Sequence, residues 1–164
     1  MPFIGLLSDT HSYYDHKLEA FFKDVDEVWH AGDFGSLEVS TQISTTKPLL
    51  AVYGNCDGTK IRELHPSIQL FEREGLKFLM THIGGTPNHY YSLAQQLIVA
   101  HSPNIFICGH SHILRVEFDK RNNLLYINPG AAGVEGIHKV RTALRFKVEG
   151  GEIKEMEVGE WPKH

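Results

Sequence analysis

The sequence contains little cysteine. Cys56 and Cys108 are the only two among 164 residues, and neither begins a Cys-x-x-Cys pair. This excludes a framework of several disulfides, and a chain of this length can bury a full core without them. A disulfide between two such distant residues stays open, but we expect two reduced thiols.

Long apolar runs and an excess of positive charge are also absent. No run approaches the about 20 residues of a membrane span. Met1-Pro2-Phe3-Ile4 is not a basic segment leading into a long apolar stretch, so we expect no signal peptide and a cytoplasmic protein. The formal net charge is −4. That balance disfavours a broad nucleic-acid surface, although it allows a small phosphate ester to bind through metals.

The composition is that of an ordinary globular chain, with 41% hydrophobic and 22% charged residues. We predict one domain over residues 1–164. The first half alternates strand-length apolar runs with amphipathic stretches, which indicates a βαβ beginning and a parallel sheet. The predicted strands are 3–8, 27–31 and 49–53, and the predicted helices are one around Leu18, Phe21 and Phe22 and one over 36–44 with Ser36 as N-cap.

The second half is mostly a series of apolar runs joined by turns. Its fold class is therefore α/β (α+β), with two facing sheets and outer helices, and the C-terminal part is largely antiparallel. Thr86-Pro87 opens a helix that continues to about Ala100, because Pro is compatible with the first helical position. The predicted strands are 68–71, 76–80, 104–108, 113–118, 124–127, 142–149 and 153–158, with Gly150-Gly151 as a hairpin turn.

Five polar motifs each follow an apolar run directly. In open α/β sheets the carboxyl ends of the strands form the edge where ligands bind. Each motif alone is weak, since turns commonly carry Asp and Asn; their combination and order carry the prediction. The motifs supply seven candidate metal ligands, which we also take as the catalytic set: Asp9, His11, Asp33, Asn55, His82, His110 and His112.

The ligand types favour two divalent transition metal ions over calcium, because imidazoles outnumber carboxylates. If Asp9 and His11 lie on an extended segment, they point to the same side and reach one ion. His110 and His112 address one metal or straddle two. Asp33 is the natural bridge between ions about 3.5–4 Å apart. Such a pair activates a water and neutralises phosphate oxygens, so we infer metal-assisted hydrolysis of a phosphate ester.

The motifs Asp9-x-His11, Gly32-Asp33, Gly54-Asn55-x-Asp57, His82 and Gly109-His110-x-His112 resemble those of the calcineurin-like metallophosphoesterase family. The chain length and Asn128-Pro129-Gly130 are similar to the small single-domain branch of YfcE-like phosphodiesterases and Vps29-type retromer subunits. The resemblance covers nearly the whole chain. It implies a four-layer αββα sandwich with two mixed β-sheets and a dinuclear centre.

The resemblance also implies which residue holds which ion. One ion would be held by Asp9, His11, Asp33 and His112, and the other by Asp33, Asn55, His82 and His110. It implies Mn²⁺ as the most frequent activator, with Fe, Ni²⁺ or Zn²⁺ as alternatives. It mildly favours a homodimer or homotetramer.

The chain departs from the family pattern at two positions. Many members have His after the motif Asn, where it can protonate the leaving group, but this chain has Cys56. The general acid is therefore open, and good leaving groups would matter more. Relatives often have Gly directly after the motif His, where Ile83 stands here, and this change affects the pocket rim.

Three functions remain open on the sequence. The first is a metal-dependent phosphodiesterase acting on a small phosphate ester. The second is a non-catalytic protein-binding scaffold of the Vps29 type, which is disfavoured because no ligand has been lost. The third is a nuclease, which is disfavoured by the acidic balance and short chain.

Residues outside the ligand set receive smaller roles. We expect Asp57 to order a loop behind the ligands, Asn128 to orient a ligand loop or close the site, and His30 to lie near the site without binding metal. Packing is favoured over substrate contact for His89, Tyr90 and Tyr91. The segment 138–141 is expected to be a solvated loop, although a positive group there could reach a phosphate.

Overall fold

The computed structural model describes residues 2–164. Within this range the chain forms twelve strands and four helices. The strands are β1 (Phe3–Leu7), β2 (Glu27–His30), β3 (Leu49–Ala51), β4 (Ile68–Arg73), β5 (Leu76–Thr81), β6 (Gly85–Thr86), β7 (His89–Tyr90), β8 (Ile105–Ile107), β9 (Leu114–Asp119), β10 (Leu124–Pro129), β11 (Val140–Glu149) and β12 (Glu152–Pro162). The helices are α1 (His16–Phe21), α2 (Leu37–Ser44), α3 (Thr59–Leu64) and α4 (Ser92–His101).

The first sheet has the strand order β12-β11-β1-β2-β3. Strands β1, β2 and β3 are mutually parallel, which confirms the predicted βαβ beginning. The C-terminal hairpin of β11 and β12 then joins the sheet by antiparallel pairing of β11 with β1. Residues from both ends of the sequence therefore stabilise one sheet.

The second sheet has the order β4-β5-β8-β10-β9 and is also mixed. Strands β5, β8 and β10 are parallel, whereas the two outer strands pair antiparallel with their neighbours. The parallel strands of both sheets thus present carboxyl ends, and the predicted motifs follow β1, β2, β3, β5 and β8.

The two sheets pack face to face over a large apolar core. Trp29 from the first sheet lies at 4.9 Å, ring centre to ring centre, from both Phe71 and Phe78 of the second. Leu18 of α1 and Ile43 of α2 pack on the outer side of the first sheet, and helix α4 packs on the outer side of the second. This is the predicted four-layer arrangement of two mixed sheets between outer helices.

The predicted helix that begins at Thr86-Pro87 is wrong at its start. Residues 85–90 form the short antiparallel ladder of β6 and β7, and α4 begins only at Ser92. Asn88 turns the chain with a φ of 70°, a left-handed conformation that a helix cannot use. Helix α3 was not predicted at all, because only Ile61 of its six residues is buried and it has no apolar stripe.

No helix in the described part of the chain has the length and hydropathy needed to cross a bilayer.

Candidate metal centre

The five motif loops meet at one edge of the two sheets because backbone hydrogen bonds join them. The amide of Asp9 donates to the carbonyl of Gly32 at 2.9 Å, and that of His11 donates to the carbonyl of Asp33 at 3.1 Å. On the second sheet, the amide of Gly109 donates to the carbonyl of His82 at 2.9 Å. The carboxyl ends of neighbouring parallel strands therefore deliver their side chains to one place.

The ligand loops are left-handed rather than extended. The φ angles of Asp9 and His11 are 54° and 43°, and those of His110 and His112 are 71° and 64°. The extended segment expected for Asp9 and His11 is therefore wrong, although the two side chains do converge. Non-glycine residues in this region cost of order 1–3 kcal/mol each and persist where the surrounding structure imposes them. Asp33, with a φ of 60°, belongs to the same set.

Two motif glycines are required by close approach. A Cβ on Gly54 would collide with the backbone and carboxylate of Asp33. A Cβ on Gly32, whose φ is 103°, would collide with the ring of His82. The glycines thus let the loops from β2, β3 and β5 touch.

The charged atoms lie within a few ångströms of one another. Oδ1 of Asp9 lies 3.2 Å from Nε2 of His112, 3.6 Å from Nε2 of His11 and 3.8 Å from Nε2 of His82. Oδ2 of Asp33 lies 3.1 Å from Nε2 of His82 and 3.6 Å from Nε2 of His11. Two carboxylates and their imidazoles therefore share one small volume.

These side chains divide into overlapping groups of potential ligands. In each group, the ligand atoms lie within 4.8 Å of one another. His110 and His112 fall in different groups, and Asp33 contacts an imidazole of each. The groups are Asp9, His11 and His112; Asp33, His82 and His110; and His11, Asp33 and Cys56.

Asn55 lies beside this cluster in the loop after β3. Its side chain is exposed and its Nδ2 is 3.5 Å from Sγ of Cys56, whereas the amide of Cys56 donates to Oδ1 of Asp33 at 2.8 Å. The assignment of Asn55 as a ligand stays a prediction.

Three atoms at the centre of the cluster are buried and have no hydrogen-bond partner among the described residues, namely Oδ1 of Asp9, Nε2 of His11 and Nε2 of His82. Nδ1 of His82 lies 2.8 Å from the carbonyl of Ala31, which can only accept, so Nδ1 carries the proton. In the neutral ring, Nε2 then presents a lone pair to a carboxylate oxygen at 3.1 Å. Two facing lone pairs repel unless a cation or a proton lies between them, so the donor set fits divalent metal ions.

The protonation of the cluster follows the same logic. Burial acts to raise the pKa of Asp9, but the adjacent imidazoles of His11, His112 and His82 and the hydroxyl of Ser8 outweigh it and hold the pKa far below its usual range. The adjacent carboxylate of Asp9 raises the pKa of His11. Burial acts to lower the pKa of His82, but the adjacent carboxylates of Asp33 and Asp9 raise it overall. The carboxylates are thus ionised, and the site attracts positive charge.

Each central carboxylate has one oxygen bound by the chain and one directed into the cluster. Oδ2 of Asp9 accepts from the hydroxyl of Ser8 at 2.6 Å and from the amide of His110 at 3.0 Å. Oδ1 of Asp33 is bound by the amide of Cys56 in the same way. The free oxygens are therefore held in fixed positions before any ion binds.

Asp57 orders the loops behind the cluster. Its carboxylate accepts from the amides of Asp33, Phe34, Gly35 and Gly54 at 2.8–3.2 Å. This one side chain joins the loop after β2 to the loop after β3. The structure thus gives it the loop-ordering position that the sequence suggested.

His30 is fully buried beside the site and does not face the cluster. The amide of Gly32 donates to its Nδ1 at 3.0 Å, so its Nε2 donates to the hydroxyl of Thr10 at 3.0 Å. Burial lowers the pKa of His30 to about 3, which keeps the ring neutral. It supports the loop after β1 instead of binding metal.

Asn128 holds the loop that carries His110. Its Nδ2 donates to the carbonyl of Gly109 at 3.0 Å and to the hydroxyl of Ser111 at 3.1 Å. The two cysteines are both free, with Cys56 exposed and Cys108 buried. His89 and Tyr91 line a cavity with His110, whereas Tyr90 packs against Phe106 and donates to Asp119.

The expectation of a solvated loop at 138–141 is wrong for Arg141, which is 1% exposed and forms two bonds of 2.9 Å with Asp15. Sequence reasoning also missed Glu135, whose Oε2 lies 3.5 Å from Nδ1 of His11. No motif marks Glu135, because its position depends on how the segment after β10 folds back onto the site.

A sandwich of two mixed sheets with carboxylates and imidazoles at its strand ends defines a metal-binding phosphoesterase fold. Residues 3–151 match the calcineurin-like phosphoesterase superfamily domain, and the chain belongs to this family. The family implies divalent metal ions. A probable metallophosphoesterase from Mycoplasma pneumoniae is 28% identical over 162 residues, covering 95% of this chain and 96% of that protein.

Solved structures agree with this membership. A novel archaeal phosphodiesterase superposes with a TM-score of 0.73 at 28% identity, covering 95% of this chain and 99% of that one. Vps29 from Chaetomium thermophilum superposes with a TM-score of 0.76 at 14% identity, covering 100% of both chains. The second likeness shows the fold alone.

Proposed function

We propose that this protein is a metal-dependent phosphodiesterase that hydrolyses a small phosphate ester at a centre of two divalent ions. One observation carries the proposal: two carboxylates and four imidazoles converge, and three of their buried atoms have no hydrogen-bond partner within residues 2–164. A protein that had no use for a metal would gain stability by replacing such groups, since each unsatisfied buried polar group costs about 1–3 kcal/mol.

The proposed ligands are those that the family resemblance implies. Asp9, His11, Asp33 and His112 would hold one ion, and Asp33, Asn55, His82 and His110 the other. When bound, the ions would activate a water and neutralise the phosphate oxygens. Oδ2 of Asp33 lies between an imidazole of each group, which supports its role as the bridge. We propose Mn²⁺ as the activator, with Fe, Ni²⁺ and Zn²⁺ as alternatives.

Cys56 stands where many relatives carry a histidine. Burial and the charge of Asp33 raise the pKa of its thiol, so it stays protonated at neutral pH and is a weak proton donor. With no imidazole at this position, departure of the leaving group depends on its own basicity. We therefore propose a preference for esters of acidic alcohols and phenols.

The scaffold function of Vps29-type proteins is the second candidate, because structures of that kind share this fold. A complete ligand set with unpartnered central atoms favours the enzyme. A nuclease is the weaker third candidate, given the net charge of −4. We also propose a homodimer or homotetramer and a cytoplasmic location.

The test is hydrolysis of bis(4-nitrophenyl) phosphate and 4-nitrophenyl phosphate by metal-free protein to which Mn²⁺, Fe²⁺, Ni²⁺ or Zn²⁺ is added singly. We expect turnover that needs metal and is faster with the diester. Chelator-treated protein without added metal is the control. If neither ester is hydrolysed with any of the added metals, the proposed enzymatic function is wrong and the scaffold function is favoured.

A further inference from the structure

Two cavities border the Asp33, His82 and His110 group. The first, here named the Tyr53 cavity, has a volume of about 280 Å³ and is bordered by Asn55 and His82. The second, here named the His89 cavity, has a volume of about 260 Å³ and is bordered by His110. A phosphate placed at the metal centre would therefore lie next to both cavities.

The walls of the Tyr53 cavity are mainly apolar. Ile68 and the ring of Tyr53 form part of the lining, together with Ile83 and Leu93, which are 40% and 60% exposed to solvent. Apolar side chains that surround a concave site beside a few polar groups are typical of a small-molecule pocket. The departure at Ile83 from the usual family glycine thus adds an apolar wall to this cavity.

Arg62 provides a fixed positive group in the same lining. Its Nε donates to the carbonyl of Asp57 at 2.7 Å, and its guanidinium lies 4.4 Å above the centre of the Tyr53 ring. Its Nη2 has only a long contact of 3.5 Å with the carbonyl of Asn55. The remaining N–H groups of the guanidinium are thus available to an anionic ester.

The lining of the His89 cavity is also mostly apolar, but its residues differ in type. His89, Tyr91 and Ser111 carry hydrogen-bonding groups, and the described residues that border this cavity include no Val, Leu or Ile. Large aliphatic walls are therefore a feature of the Tyr53 cavity and not of the His89 cavity.

We propose that the Tyr53 cavity binds an aromatic substituent of the phosphate ester, of about one ring in size. The His89 cavity would then receive the second substituent of a diester. This inference rests on the proposed function, since it names the substrate class of the same site. The Tyr53 cavity, at about 280 Å³, lies just below the usual range for ligand pockets, roughly 300–1,000 Å³, which limits the group to a small ring.

Direct binding tests this inference without turnover. Calorimetry with Mn²⁺-loaded protein compares phenyl phosphate with methyl phosphate, which carry the same charged group and differ in the ring. We expect phenyl phosphate to bind about tenfold more tightly, because a few added carbons in an apolar pocket give a ratio of this order. Equal affinities, or no binding of either phosphate, would overturn the proposal.

Two variants and a matched control locate the effect. Leu93→Asn makes the cavity wall polar, and Ser67→Trp fills the cavity from the exposed residue beside Ile68. Both should bring the affinity ratio close to one while methyl phosphate binds as before. Val99→Asn makes the same kind of change on helix α4 at a residue that is 68% exposed, and it should leave the ratio at about tenfold.

The outcomes separate this inference from the proposed function. If phenyl phosphate binds preferentially and no ester is hydrolysed, aryl binding in the Tyr53 cavity is supported and the proposed hydrolase activity is overturned. If esters are hydrolysed but Leu93→Asn and Ser67→Trp keep the wild-type affinity ratio, the hydrolase activity is supported and aryl binding in the Tyr53 cavity is overturned.

Discussion

Two of the sites of buried charge in this protein differ in whether the chain supplies every partner. Around Arg141, Nε donates to the carbonyl of Ala132 at 2.7 Å and the two terminal nitrogens donate to Asp15 at 2.9 Å. At the candidate metal centre, by contrast, Oδ1 of Asp9 and Nε2 of His11 and His82 have no hydrogen-bond partner in the part of the chain that the structure describes. A satisfied buried charge serves the fold, whereas an unsatisfied one is held ready for a ligand.

The same contrast appears in the backbone. Asp9, His11 and Asp33 are all left-handed. Asp15 has ordinary extended backbone, with a φ of −111°, and caps helix α1 through the amide of Leu18. Strain is thus concentrated where the ligands converge, and the surrounding hydrogen bonds maintain it.

The largest expected effect is on the unsatisfied cluster. Asp33→Asn removes the negative charge from the proposed bridge while keeping the size of the side chain. We expect at least about a 1,000-fold loss of phosphodiester hydrolysis, about 4 kcal/mol in the barrier. At least one equivalent of metal should be lost and the fold kept. Activity, metal content and circular dichroism measure the three quantities.

The control for that variant is Asp24→Asn, which makes the same chemical change at an exposed residue. It should keep both metal content and activity. Retained turnover in Asp33→Asn would contradict the bridging role of Asp33. The metal centre would then no longer differ from the Arg141–Asp15 pair in needing a ligand.

The next largest effect should fall on the satisfied pair. Asp15→Asn keeps a residue that caps helices well but removes the ion pair with Arg141. Leaving a buried guanidinium without its counter-charge should lower the free energy of unfolding by about 3 kcal/mol. Chemical denaturation of metal-free protein measures it. Metal affinity of the folded variant should be unchanged.

Glu157→Gln is the comparison for this pair, because it breaks the exposed ion pair of Glu157 with Arg145. Exposed pairs contribute little, so its loss of stability should be much smaller. If Asp15→Asn and Glu157→Gln lost the same free energy of unfolding, the burial of Arg141 would not make its ion pair more stabilising than the exposed pair.

Much of this architecture could be predicted from the sequence, because its signals are local. The apolar runs of β1, β2 and β3 and the amphipathic spacing around Leu18 indicate the parallel beginning. Each ligand motif directly follows its strand, and parallel strands bring their carboxyl ends to one edge. Convergence of Asp9, Asp33 and His82 could therefore be inferred before any coordinates.

The rest depends on contacts between distant residues. Asp15 and Arg141 are 126 positions apart, and nothing in either neighbourhood indicates the pair. Glu135 reaches His11 only because the segment after β10 folds back onto the site. The left-handed conformations of Asp9 and His11 are imposed by bonds to the loop after β2, so residue type alone could not reveal them.

Asp57 combines features of the two clusters. Backbone amides satisfy its carboxylate, as Arg141 satisfies that of Asp15, and yet it holds the loops that carry the proposed metal ligands. In Asp57→Asn, the new amide group would face one of the N–H groups that the carboxylate now binds. We expect a 10–100-fold weaker affinity for Mn²⁺, the usual loss for a partner behind a metal ligand. Calorimetric titration of the variant and wild type measures it. Unchanged affinity with lowered stability would assign Asp57 to the fold alone.

The smallest effect is a pH dependence of the satisfied pair. Burial acts to raise the pKa of Asp15, but hydrogen bonds with Arg141 and the amide of Leu18 hold it below its usual value. The carboxylate's contribution to stability is therefore complete above the unfolded pKa of about 3.9, and it is lost as pH falls through the lower folded pKa. The side-chain amide that Asp15→Asn introduces does not titrate in this range.

The difference in unfolding free energy between wild type and Asp15→Asn should thus be constant from about pH 7 to 5 and should narrow below about pH 4. Urea denaturation of metal-free protein at several pH values measures it, and the subtraction cancels carboxylates that titrate alike in both proteins. A gap that narrows instead as pH rises from 5 to 7 would assign the stability to a histidine, because only a group with a raised pKa loses its contribution in that direction. The Arg141–Asp15 pair would then titrate in the same direction as His11 and His82, whose pKa values are raised. The proposed difference between this pair and the metal centre would be wrong.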